Sequence, residues 1–307
     1  MHIFENISFV LISIIALWGG AYLVVESASR IAKKLGLSEL VIGLTIVAIA
    51  TSAPEFAVTV LAAFRGHMQI SVGNIVGSNI FNLGIILGLV SIFSVVKISK
   101  PMLYRDGGLL VGAGVLLLIF FYDLSLSVWE GLTLIAILIS YIIYLVRHKE
   151  NVEEEELPSG GYRWYDPVLF AAGIAIILAG ADFLVDGATG LARYFGLSEW
   201  LIAVTIVASG TSIPELATSI VALSKGRHGI SAGNLIGSDL FNMLGVLGVA
   251  TLFRSLQITS SDYFSLILLA GNLIILVVLM RRKWRLTTGE GIILILIALA
   301  RWAVVIN

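Results

Sequence analysis

The chain has 307 residues, 58% of them hydrophobic and 13% charged, with a mean hydropathy of +1.01. Soluble domains carry about 25% charged residues, so this composition belongs in a membrane. The net charge of −1 leaves no basic face for a nucleic acid, and the lack of cysteine excludes a disulfide framework, a thiolate metal site and a cysteine nucleophile.

Residues Met1 to Asn6 lack the basic stretch of a cleaved signal peptide, so the first apolar run is expected to remain as a span. A helix needs about 20 apolar residues to cross the hydrocarbon core. Ten runs approach that length: residues 7–29, 38–64, 70–96, 107–122, 125–146, 166–190, 198–223, 230–253, 262–280 and 287–306, the fourth being the shortest. With ten spans, fifteen Lys and Arg residues fall on one side of the membrane. Only Arg65, Arg193, Arg254 and Arg301 fall on the other. Cytoplasmic loops collect positive charge, so both termini are expected outside the cell, with the chain as a multi-pass protein of the plasma membrane. The segment His148 to Tyr165, holding Glu153 to Glu156 and Pro158, reads as a solvated cytoplasmic linker; a regulatory cation site on its glutamates is the weaker reading. It divides the chain into residues 1–147, 148–165 and 166–307.

A shift of 160 residues aligns Gly36–Phe93 with Gly196–Phe253 without a gap, and 27 of the 58 pairs are identical. Each copy holds five spans, an odd number, so the second must enter the membrane from the opposite side. The expected fold is an all-α integral membrane protein of ten transmembrane helices, built as two inverted five-helix repeats with helices 2, 3, 7 and 8 interrupted. Inverted repeats with interrupted helices are the architecture of secondary transporters, whose site lies where the repeats meet.

The identities cluster in two patches, T-I-V-A-x-x-T-S-x-P-E (Thr45–Glu55 and Thr205–Glu215) and G-N-x-x-G-S-x-x-F-N (Gly73–Asn82 and Gly233–Asn242). Pro54 and Pro214 remove a helical amide and crowd the carbonyls of Ala50 and Gly210, so each helix should kink. Thr51, Ser52 and Glu55 share one helical face, as do Ser78 and Asn82; Thr211, Ser212, Glu215, Ser238 and Asn242 repeat the pattern. Hydroxyl, carboxylate, amide and carbonyl oxygens without sulfur or imidazole suit a hard cation such as calcium or sodium better than a transition metal. A carboxylate in mid-membrane marks a functional site, and here it occurs twice at equivalent places. Gly73, Gly77, Gly84, Gly88 and their copies in the second repeat read as close helix contacts.

These patches resemble the alpha-1 and alpha-2 repeats of the sodium/calcium exchanger family, within the calcium/cation antiporter superfamily, in its prokaryotic form without a regulatory domain. The resemblance implies ion ligands at the carbonyl of Ala48 with Thr51, Ser52, Glu55, Ser78 and Asn82, and at the carbonyl of Ala208 with Thr211, Ser212, Glu215, Ser238 and Asn242. It implies sodium-for-calcium exchange by alternating access, with the first and sixth helices sliding past the rest and with no cofactor. Three positions depart from the pattern. Ala50 stands where a glycine is usual, Asn242 where potassium-dependent relatives carry aspartate, and Asp239 where copy one has Asn79. Asp239 lies about 100° around the helix from Ser238 and is expected to point away from the centre.

Calcium/proton exchange is the alternative, although proton-coupled cousins place an acid in the second patch where this chain has Gly77. An intramembrane hydrolase is disfavoured because His2, His67, His148 and His228 lie at helix ends or loops, and no phosphate-binding loop supports drive by ATP. The oligomeric state is not legible.

Overall fold

The computed structural model describes residues 3–148, 161–196, 206 and 208–306; the linker glutamates 153–156 fall outside them. Helices occupy the apolar runs in order: α1 (Ile3–Leu35), α2 (Glu39–Thr51), α3 (Ala53–Phe64), α4 (Met68–Phe93), α5 (Met102–Asp123), α6 (Val128–Arg147), α7 (Asp166–Tyr194), the short α8 (Ala208–Gly210), α9 (Ile213–Ser224), α10 (His228–Phe253), α11 (Ser260–Lys283) and α12 (Thr288–Ile306). Among the described residues, seven helices are long and apolar enough to cross a membrane unaided, and α2 with α3 makes an eighth, bent by 51°. The chain is thus a multi-pass membrane protein. Part of the seventh run, residues 198–205, lies outside the described residues.

The bend falls where proline predicts a break. Ser52 leaves the helix at φ −79°, ψ 12°, and α3 restarts at Ala53 with Pro54 in its first turn, where a missing amide is harmless. Ser212 has the same conformation, φ −91°, ψ 5°, before Pro214 in α9. In α4 and α10 the interruption takes another form. The helix runs through, but Phe81–Ile86 and Phe241–Val246 widen into π turns, a local irregularity common at functional sites.

Two compact units interleave along the sequence. The first comprises 1–54 and 149–234, the second 55–148 and 235–307. In the first, α1 packs along α7, with Leu17, Ala21, Val24 and Ile177 in the core. The two backbones nearly touch. A Cβ on Gly20 would meet the carbonyl of Gly173 at 2.8 Å, and one on Gly173 would meet that of Gly20 at 2.8 Å. Polar contacts tie the ends of these helices. Arg30 of α1 bridges to Asp166 of α7 at 2.8 Å, and Glu26 of α1 takes Lys225, just past α9, at 2.6 Å. Glu39 takes Arg227 at 3.2 Å and the Ser29 hydroxyl at 2.6 Å.

The second unit displays the repeat directly. Gly88 of α4 would meet the carbonyl of Gly291 in α12 at 2.9 Å, and Gly248 of α10 would meet that of Gly131 in α6 at 2.8 Å, each residue of one contact lying 160 positions from its counterpart in the other. Four two-residue strands pair crosswise. β1 (Val96–Lys97) joins β4 (Arg285–Leu286), while β2 (Ser125–Leu126) joins β3 (Leu256–Gln257). Ser127 with Glu130 and Thr259 with Asp262 form capping boxes that start α6 and α11.

The close-contact reading of the glycines holds for Gly84 and Gly88, which press on Ala298 and Ile295. It fails for Gly73 and Gly77, around which a Cβ would find nothing within 4 Å, although it holds for Gly233, the copy of Gly73, where a Cβ would meet the Leu40 carbonyl at 2.6 Å. Their recurrence at four-residue spacing imitates a packing seam that this part of the helix does not make. Gly291→Ala sets a Cβ 2.5 Å from the Gly88 carbonyl, and such overpacking costs roughly 1–3 kcal/mol. The melting temperature in detergent should fall for Gly291→Ala and hold or rise for Gly73→Ala, since alanine favours helix by about 1 kcal/mol.

Candidate cation centre

Within the first unit, the break at Ser52 turns the end of α2 so that its side chains meet the second copy's motif. The Ser52 hydroxyl donates to Oε1 of Glu215 at 2.9 Å. The Thr51 hydroxyl lies 2.9 Å from Oδ1 of Asn234 and 3.3 Å from the carbonyl of Ala48, which also accepts the Ser52 amide at 3.0 Å. Nδ2 of Asn234 in turn donates to the carbonyl of Glu215 at 3.4 Å and to the Ser219 hydroxyl at 3.1 Å. Thr51, Ser52, Ser212 and Glu215 are fully buried, Thr211 is half-buried, and Ala208 is described by its backbone alone.

Within the second unit, Glu55, Asn82, Ser238 and Asn242 are fully buried and Ser78 nearly so. Asn74 repeats what Asn234 does, donating to the Glu55 carbonyl at 3.3 Å and to the Thr59 hydroxyl at 3.0 Å. Each of these asparagines braces the first turn of the helix that carries the motif glutamate.

A second bracket is reciprocal. Nδ2 of Asn82 donates to Oδ1 of Asp239 at 3.0 Å, and Nδ2 of Asn242 donates to Oδ1 of Asn79 at 3.0 Å. With each amide nitrogen held, the other end of the side chain is fixed too. Oδ1 of Asn82 and Oδ1 of Asn242 are buried acceptors that receive no hydrogen bond. Such an atom is costly unless something electropositive meets it. A hard cation is one group that would meet that need. Among the described residues no three Asp, Glu or His side chains converge on a metal site.

Asp239 departs from expectation. It is fully buried and engaged with Asn82 rather than turned from the ligand set. On a helix buried as thoroughly as α10, leaving the Ser238 face brings a side chain against another helix. Asn74, Asn234 and Asn79 were also absent from the candidates. Their signal was present, because Asn74, Ser78 and Asn82 are spaced by four and share one helical face, as do Asn234, Ser238 and Asn242.

The model of the sodium/calcium exchanger protein family matches this chain twice, over residues 6–147 and 165–306. Among related proteins, the putative antiporter CaxA of Alkalimonas amylolytica is 34% identical, over 94% of both chains. The sodium/calcium exchanger MaX1 of Methanosarcina acetivorans is 31% identical, over 96% of this chain and 97% of its own. A solved structure of the sodium-calcium exchanger NCX_Mj superposes with a TM-score of 0.87 at 28% identity, covering 99% of both chains. The chain belongs to the sodium/calcium exchanger protein family.

Proposed function

We propose that this protein is a secondary antiporter that exchanges sodium for calcium by alternating access. The ligands would be the carbonyls of Ala48 and Ala208 with Thr51, Ser52, Glu55, Ser78, Asn82, Thr211, Ser212, Glu215, Ser238 and Asn242. The observation that carries the reading is the pair of buried amide oxygens, Asn82 Oδ1 and Asn242 Oδ1, held without donors at equivalent places in the two copies. Membership of the exchanger family and the names of MaX1 and NCX_Mj point the same way.

Glu55 and Glu215 supply two negative charges that one calcium ion, or more than one sodium ion, neutralises. Both ions need the same oxygens and so compete. Coupling follows if the inward- and outward-open states interconvert readily only when that charge is compensated, since a ligand shifts such an equilibrium only through differential affinity. The glycine seam between α1 and α7 supports sliding of that pair as one body. No step requires a cofactor or ATP, and no chemistry is performed on a substrate.

Vesicles loaded with sodium and diluted into sodium-free buffer should accumulate radioactive calcium. Glu55→Gln and Glu215→Gln should each reduce that uptake at least tenfold; unchanged uptake in either would sink the assignment. A pH gradient in place of the sodium gradient should drive little uptake, and strong uptake would favour calcium/proton exchange.

The repeats are taken to be inverted across ten spans in the plasma membrane, with both termini outside. Because the chain has no cysteine, single substitutions report topology cleanly. Lys100→Cys should react with an impermeant thiol reagent only after the cell is opened, and Arg254→Cys in intact cells. Labelling of both from the same side would contradict the inverted arrangement.

A further inference from the structure

Asp239 stands outside the ligand set that the family resemblance implies, yet it is hydrogen-bonded to a member of that set. Its Oδ1 accepts from Asn82 at 3.0 Å, and its backbone carbonyl accepts from Asn79 at 3.3 Å. At the equivalent place in copy one, Asn79 holds Asn242 with the same length, 3.0 Å. The two brackets do the same mechanical work, fixing an amide nitrogen so that the amide oxygen is presented. They differ in charge. The copy-one bracket shows that an asparagine suffices for the geometry, and a buried carboxylate is expensive to keep ionised, so the acid at 239 has a use beyond holding Asn82.

We propose that Asp239 is a specificity-determining residue of the cation centre, a third buried carboxylate that favours the divalent ion over the monovalent one while it orients Asn82. The inference rests on the exchanger reading above. From a given charge at a given distance, a divalent ion gains twice the Coulomb energy of a monovalent ion. The factor by which Asp239 tightens calcium binding is therefore about the square of its factor for one sodium ion.

The test is equilibrium binding of radioactive calcium to the purified full chain in detergent, with sodium as competitor. Wild-type protein comes first; a failure to bind calcium there would count against the exchanger reading itself. Given wild-type binding, Asp239→Asn should keep the wild-type melting temperature, weaken calcium at least tenfold and weaken sodium competition about threefold per ion. An unchanged calcium-to-sodium ratio would overturn the proposal. The double variant Asp239→Asn with Asn79→Asp moves the charge to the mirrored bracket, and calcium affinity should return to within about threefold of wild type. A double variant that melts normally but does not recover would show that the single variant acted through the bracket and not the charge, which also overturns it.

Discussion

Keeping a carboxylate inside an apolar helix of a membrane protein is costly, and the chain does so at both Glu55 and Glu215, each fully buried. Much of the local structure answers that cost. The helix is broken immediately ahead of each glutamate at Ser52 and Ser212. The first break delivers a serine hydroxyl to Glu215. Asn74 and Asn234 take the carbonyls of the glutamates themselves and tie them to Thr59 and Ser219. Proline, serine and asparagine recur at fixed spacing because each performs one of these tasks.

The contacts obey the repeat more closely than the residues do. Gly88 with Gly291 and Gly248 with Gly131, β1 with β4 and β2 with β3, Asn82 with Asp239 and Asn242 with Asn79 are pairs in which each copy gives the other what it receives. A duplicated segment that pairs with its own copy must solve every contact twice with related residues. Substitutions survive there only when the partner tolerates them from both directions. Asn79 and Asp239 can differ because either side chain presents an oxygen to an amide.

The apolar helices, the repeat and the glutamates were legible because hydrophobic runs, an ungapped match at a 160-residue shift and acids within apolar helices are local signals; among the described residues seven helices, and the bent pair α2 and α3 as an eighth, match the length of a span. The breaks ahead of Pro54 and Pro214 were legible, since a missing amide is a property of one residue. The π turns at Phe81 and Phe241 were not, because no residue type announces them; they appear only when packing fixes which turn must widen. The roles of Asn74, Asn79 and Asp239 were hidden for a related reason. A helical wheel states which residues share a face but not which neighbour that face will meet, and for Asp239 the answer is Asn82 on another helix.

The ionic ties at the ends of α1 are of unequal strength. Arg30 holds Asp166, whose carboxylate is sealed from solvent, whereas Lys225 and Glu26 are both over a fifth exposed. The more a pair is exposed, the less it contributes and the more salt screens it. The first tie therefore couples α1 to α7 as a permanent yoke, and the second, from α1 to the far end of α9, is a snap fastener. Opening the second tie therefore costs less than opening the first, and its hold loosens as ionic strength rises.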